Sequence, residues 1–300
     1  MPSQPRSGVG AGYPPVLPSW NLKEILSGKS RSMKLTDGQL AELESKGFLV
    51  LPELFSAAEV AAIRADLPAL FAERTESNIR EKEGGAVRTI MGLHLRSALF
   101  GRLVRHPRLA EPARQIAGPE LYVQQVKVNV KAAFEGDVWQ WHYDFATHHR
   151  DDGVPAPLAL NLHILLDDVN QFNGPLYFIP GSHKHGPAPT YHDTASTSYP
   201  LWVGDRATVA GLIAEGGIAP ALGKAGTGLI FGDLMVHGSP GNMSPWDRAI
   251  FSVILNPVAN AQTTFARPDY KHGTDFTPIE PLADDCLLVP AAASQMQSAR

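Results

Sequence analysis

Apolar residues recur at helical spacing in the first third of the chain and fall into short, turn-bounded runs in the rest. Thr36 precedes a segment that carries Leu40 and Leu43 and closes at Gly47, which predicts a short capped helix. Phe48-Leu49-Val50-Leu51 predicts a buried strand. Ser56 stands three residues before Glu59, the spacing of a capping box, and Val60, Ile63, Leu67, Leu70 and Phe71 follow on one helical face. A further helical stretch is expected over Ser97–Ile116. From about residue 120 the pattern changes. Leu121–Val130 alternates in part, Leu158–Leu166 is apolar, Leu176–Ile179 lies between Gly-Pro and Pro-Gly, and Gly228–Val236 and Ala249–Asn256 follow. Short strands divided by turn residues predict a sandwich or barrel behind helices, an α+β and mainly β chain.

The same pass predicts the domain layout. Residues 1–34, rich in Pro, Ser and Gly, are expected to form a flexible or loosely docked arm with Trp20 as its anchor. One domain is expected over 35–285, with helical support over about 35–118, a β core over about 120–258 and a tail at 286–300. Pro187–Leu222 is too long for a plain connection and is expected to act as a lid. There is no internal repeat and no phosphate-cradling GxxxxGK pattern.

Composition narrows the class. The chain has 27 glycines and 25 prolines among 300 residues, above the usual share of about 12% for the pair, which suits a turn-rich β architecture. A net charge of −4 argues against sequence-independent nucleic-acid binding, which needs a concentrated basic face. The single cysteine, Cys286, excludes a disulfide framework and a Cys-based zinc site. No apolar run approaches the ~18 residues of a membrane span, and the first residues lack a signal-peptide pattern. A cytoplasmic protein with no membrane and no nucleic-acid partner is expected.

Candidate chemistry centres on Trp141-His142-Tyr143-Asp144. On a strand, side chains two residues apart share a face, so His142 and Asp144 would reach one ion, although a His-x-Asp pair alone is more often an ordinary hydrogen bond. The apolar segment from Gly228 ends at His237, before the turn residues Gly238-Ser239-Pro240-Gly241-Asn242. Two histidines and a carboxylate make the ligand set of a non-haem Fe(II) centre with open positions. If the turn closes a hairpin, Arg248 stands beside His237 on the next strand, where it would hold the far carboxylate of a chelated keto acid. His183, His94 and His149 read as structural, pocket or surface residues, and Asp151 and Asp152 as a solvated turn.

The segments WQWHYDFATHHRDDGVP, NGPLYFIPGSH and VHGSPGNMSPWDR resemble the phytanoyl-CoA dioxygenase superfamily of Fe(II)/2-oxoglutarate oxygenases, nearest to its ectoine hydroxylase and bacterial proline 4-hydroxylase branch. The resemblance runs from about Leu35 to Pro281. It implies a double-stranded β-helix, a jelly-roll of cupin type, with flanking N-terminal helices. It implies Fe(II) held by His142, Asp144 and His237, and 2-oxoglutarate held by Arg248, with Ser239 and Asn129 as further contacts. Gln125, Lys127, Arg88 and His148 fall where substrate contacts are implied, the first two on the same alternating face as Asn129. O2 is the implied oxidant and ascorbate an implied stimulant. Both relatives carry tryptophan at the position of His148, a departure that weighs against ectoine itself and against proline. The carboxylate at Asp144 favours hydroxylation over halogenation, which requires a small residue there.

The expected activity is therefore hydroxylation of an aliphatic C–H bond of a small free amino acid or derivative, resembling proline, pipecolate or ectoine, or aliphatic. Tailoring of a larger natural product under the Pro187–Leu222 lid is the enzymatic alternative. A metal- or acid-binding sensor without catalysis is the alternative from another class, and a zinc hydrolase would leave Arg248 without a role.

Overall fold

In the computed structural model of the protein, residues 33–83 and 85–289 are described. The expected arm with Trp20, up to residue 32, and the tail from residue 290 lie outside them. Thr36 opens helix α1 (Asp37–Lys46) with a full capping box to Gln39, and Gly47 closes it at φ 86°. A Cβ at Gly47 would meet the His183 ring at 2.3 Å, so this glycine serves both a left-handed turn and a close approach. Strand β1 (Phe48–Leu51) follows, then α2 (Ala57–Ala72), whose Ser56/Glu59 capping box is present as expected.

The helix expected over Ser97–Ile116 is two helices, α3 (Ala98–Leu103) and α4 (Pro107–Ala117). Pro107 has no N–H to continue a ladder, so α4 begins at it with His106 as its cap. Between α2 and α3 run β2 (Asn78–Arg80) and β3 (Val87–Met91). The remaining strands are β4 (Leu121–Lys131), β5 (Trp139–His142), β6 (Leu160–Leu165), β7 (Leu176–Phe178), β8 (Thr190–Asp193), β9 (Leu201–Gly204), β10 (Ala219–Ala221), β11 (Gly228–Gly232), β12 (His237–Ser239) and β13 (Arg248–Pro257). Helix α5 (Phe145–Asp152) follows β5, and α6 (Arg206–Gly216) follows β9.

Two antiparallel sheets form the core: seven strands in the order β1-β11-β6-β13-β4-β3-β2, and four in the order β10-β7-β12-β5. Alternation assigns the faces of the large sheet. Val126 and Val128 of β4, Leu160, Leu162 and Ile164 of β6, and Phe251, Val253 and Leu255 of β13 share one apolar cluster with Ile63 and Leu67 of α2 and Leu109 of α4. The helices thus cover the outer face. The opposite parity faces the small sheet, where Phe48, Leu165, Ile250, Phe178, Leu229 and Phe231 make a second, smaller cluster. Gln125, Lys127, Asn129, Asn161, His163 and Arg248 share that inward parity, so the sandwich is apolar at one end and polar at the other.

Two details depart from the sequence reading. Gly228–Val236 is not one strand: β11 stops at Gly232, the chain turns, and His237 opens β12 in the other sheet. Arg248 is consequently not a hairpin partner of His237, because β12 pairs with β5 and β7 while β13 pairs with β4 and β6. The Pro187–Leu222 insert is folded, with β8 paired to β9, then α6, then β10 on the edge of the small sheet. Trp202 Nε1 donates to Asp151 Oδ1 at 3.0 Å and Tyr143 Oη to Ala188 O at 2.7 Å, which fix the insert on α5 and β5. Among the described residues, no helix is long and apolar enough to cross a membrane.

Candidate active site

Strand β5 ends at His142 and β12 begins at His237. The two are register partners with ring centroids 4.2 Å apart. Asp144 is not on β5. It stands in helical conformation, φ −68° and ψ −31°, at the head of α5, so a strand end and a helix start bring the two side chains together rather than strand alternation. One ligand atom from each of His142, Asp144 and His237 lies within 4.8 Å of the others, and His142 Nε2 is 3.7 Å from Asp144 Oδ1.

Each histidine is oriented by a backbone carbonyl. His142 Nδ1 lies 2.6 Å from Gln140 O, and His237 Nδ1 lies 2.9 Å from Met235 O. A carbonyl oxygen only accepts, so both Nδ1 atoms carry the hydrogen and both Nε2 lone pairs are left for a ligand. Burial pushes both imidazoles down, His142 to about 3, which keeps them neutral. Burial would raise Asp144, but His237, Lys127 and His142 overcome it and hold the carboxyl below the usual range. Asn161 Nδ2 donates to Asp144 Oδ2 at 2.9 Å and orients the carboxylate. Two neutral imidazoles and one ionised carboxylate oxygen are the donor set of a facial iron site, and this set fits Fe(II).

Across the sandwich, Arg248 is 1% exposed and has no carboxylate partner within ion-pair distance among the described residues. Its Nε donates to Gly174 O at 3.1 Å and its Nη2 to Ser239 Oγ at 3.2 Å. Burial lowers its pKa to about 9 despite Asp167 nearby. Lys131, its register partner on β4, is also 1% exposed. Burial pulls Lys131 well below the usual lysine range, and Arg248 and Arg88 push the same way. Glu81 and Asp137 offset this for Lys131 only in part, and buried cations not fully paired are costly.

The three candidate ligands and Arg248 line one cavity. Gln125, Lys127 and Asn129 line it from alternate positions of β4, and His148 lines it from α5. Thr89 Oγ1, Asn129 Oδ1 and His163 Nδ1 on its wall are buried without partners among the described residues, as a cavity for a polar ligand requires. Arg88 is elsewhere. Its guanidinium pairs with Glu81 Oε2 at 3.0 Å, donates to Val138 O at 2.7 Å and lies 4.1 Å over the Trp139 ring, so it braces the loop before β5. Ser239 acts through Arg248 and does not line the cavity. Asp152 is not a solvated turn residue: it is fully buried and grips Arg267, with Arg267 Nε donating to its Oδ1 at 2.6 Å. Arg267 itself lines the cavity, as do Tyr199 and Leu201 from the insert.

The sequence reading did not single out Asn161, Lys131, Arg267 or Tyr199. Lys131 was detectable, because it continues the parity of Gln125, Lys127 and Asn129. Asn161 lay inside a run read as apolar. Arg267 follows β13 in irregular chain, where no periodicity points to a face.

Residues 43–250 match the family model described as phytanoyl-CoA dioxygenase. The chain is 41% identical over 236 residues to an ectoine dioxygenase of Bordetella parapertussis, covering 75% of this chain and 77% of that protein. It is 34% identical over 254 residues to an L-proline trans-4-hydroxylase of Streptomyces griseoviridis, covering 80% and 94%. The structure of EctD from S. alaskensis with 2-oxoglutarate and 5-hydroxyectoine superposes with a TM-score of 0.71 at 32% identity, covering 83% of this chain and 86% of that one.

Proposed function

The chain belongs to the phytanoyl-CoA dioxygenase family, and from that premise we propose that it hydroxylates an aliphatic C–H bond of a small free amino acid or amino-acid derivative. The observation that carries the reading is one cavity bounded by the His142/Asp144/His237 donor set and by the guanidinium of Arg248, which has no ion-pair partner among the described residues. Fe(II), when bound, supplies the redox chemistry that couples oxidative decarboxylation of 2-oxoglutarate by O2 to hydroxylation of the substrate.

The protein's own residues do the rest by binding and orientation. Asn161 fixes the Asp144 carboxylate, and the carbonyls of Gln140 and Met235 fix the two imidazoles, so the three metal-facing atoms are set before any ligand arrives. Arg248, steadied by Ser239 and Gly174, takes the distal carboxylate of 2-oxoglutarate, with Asn129 beside it. The substrate's own carboxylate meets Lys127 and Arg267. Arg267 is held in place by Asp152, and Lys127 makes no ion pair within reach among the described residues. Leu176, Ile250 and Leu201 supply apolar wall against the carbon skeleton. The ectoine- and proline-acting relatives support a small substrate of this class. We take the enzyme to act in the cytoplasm, with ascorbate as a stimulant.

The test is substrate-stimulated succinate release by enzyme loaded with Fe(II) and 2-oxoglutarate, across cyclic, aliphatic and polar amino acids and ectoine. Stimulation accompanied by a product 16 Da heavier is the expected result. No stimulation by any member would overturn the amino-acid reading.

A further inference from the structure

One pair, of which His148 lines the cavity and Asp233 stands behind it, has no part in that mechanism. His148 stands on α5, one helical turn beyond Asp144, and its Nδ1 lies 2.9 Å from Asp233 Oδ1. Asp233 sits in the turn between β11 and β12, and the two side chains are 3% and 0% exposed. The pair therefore bridges α5 to the segment that delivers His237. An ionised carboxylate accepts only, so Nδ1 is the nitrogen that faces Asp233 and carries the hydrogen. The ring's other nitrogen, Nε2, makes no hydrogen bond among the described residues, and His148 lines the cavity with Thr147, Tyr199 and Arg267.

The cost of this arrangement shows what it is for. A ring that only packed against the substrate would be served by an apolar side chain. Burying Asp233 to hold the ring is expensive, because its Oδ2 has no partner among the described residues. What Asp233 secures is the direction of the ring. It turns one nitrogen to the protein and leaves the other for the cavity.

We propose that His148, oriented by Asp233, selects the substrate: its Nε2 hydrogen-bonds a hydroxyl or carboxamide that the substrate carries in addition to its carboxylate. Hydroxyl and carboxamide groups both donate and accept, so the pairing is made wherever the imidazole proton resides. Lys127 and Arg267 hold the carboxylate, His148 reads the second polar group, and the carbon between them is presented for oxidation. The preferred substrates are then polar amino acids, and their apolar isosteres are poor ones. The inference rests on the amino-acid hydroxylase reading above.

The test uses side-chain isosteres: threonine against valine, asparagine against leucine, and hydroxyproline against proline. Wild type should favour the polar member of at least one pair by about tenfold or more in kcat/KM, the loss expected when a buried polar group is left unpaired. His148→Phe keeps a ring and removes both nitrogens. It should bring that ratio close to one, mainly through KM for the polar member, and His148→Asn should restore part of it. If His148→Phe melts early, Asp233→Ala replaces it; this frees the ring and should lower the ratio in the same direction. Equal use of both members by wild type, or an unchanged ratio in a folded variant, overturns this inference and leaves the hydroxylase reading standing. Succinate release that no amino acid stimulates overturns the reading itself, and the inference with it.

Discussion

Asn161 holds the free oxygen of Asp144 from the middle of β6, and its contribution can be weighed without touching a ligand. Partners that orient a metal ligand typically contribute 10–100-fold in affinity. Asn161→Ala is therefore expected to weaken Fe(II) binding by roughly that factor, read by anaerobic metal titration, with the thermal midpoint showing that the fold is intact. Arg248→Lys keeps the charge but loses the planar fork. It is expected to raise KM for 2-oxoglutarate roughly 10–100-fold, the worth of a hydrogen bond to a charged group, with a smaller effect on kcat. At this scale the site was half legible in the sequence. His142, Asp144, His237 and Arg248 are chemically marked letters and were readable as candidates. Asn161 was hidden because β6 is buried on both faces, so its inward polar positions sit among outward leucines instead of alternating with surface charges. Arg88, which the resemblance placed among the substrate contacts, pairs with Glu81 and lies over Trp139, and it is not among the residues that line the cavity.

Elements place these residues, and the sequence showed the elements better than the switches between them. The capping boxes of α1 and α2 and the long strands β4 and β13 follow directly from local pattern. The transfer of the chain from β11 in one sheet to β12 in the other has no local mark, because continuing a strand and leaving a sheet are decided by partners distant in sequence. The α2 cap offers a test at this scale. Ser56→Ala should cost about 1 kcal/mol, measured by denaturant unfolding. Glu59 in the same box also pairs with Arg108 Nη1 at 3.0 Å. Burial tends to raise Glu59, but the bonds from Arg108 and Ser56 outweigh it, and its pKa lies below the ordinary value. A carboxyl lowered by folding adds stability above the unfolded range of about 4.3, and that stability is lost as pH falls through the folded value. The stability gap between wild type and Glu59→Gln should therefore be widest near neutral pH and close in acid. A gap that widens on acidification would contradict the assignment.

The whole molecule carries a net charge of −4, yet it encloses cations between its sheets. Arg248, Lys131 and Lys127 are enclosed between the sheets and make no ion pair among the described residues, although Asp144, Asp233, Glu81, Asp137 and Asp167 lie near enough to be felt. A summed charge cannot reveal this placement, and for that reason composition said nothing of an anion site. The packing follows the same division: one end of the sandwich is closed by Phe48, Phe178 and Phe231, and the other is polar and incompletely satisfied. Such a core is less stable than the same fold with its ligands, because any species that binds only the folded state shifts the equilibrium. Fe(II) and 2-oxoglutarate together, added without O2 at about 100 times their dissociation constants, the second measured on the Fe(II) form, should add about 2.7 kcal/mol each. That corresponds to a rise in thermal midpoint of roughly 10–20 °C for the pair. The two variants divide the rise. Arg248→Ala should keep most of the metal increment and lose that from 2-oxoglutarate, whereas His142→Ala should lose the first and, without a metal to chelate, much of the second. Equal rises in all three proteins would mean that the ligands bind elsewhere, and the polar end of the sandwich would then need another explanation.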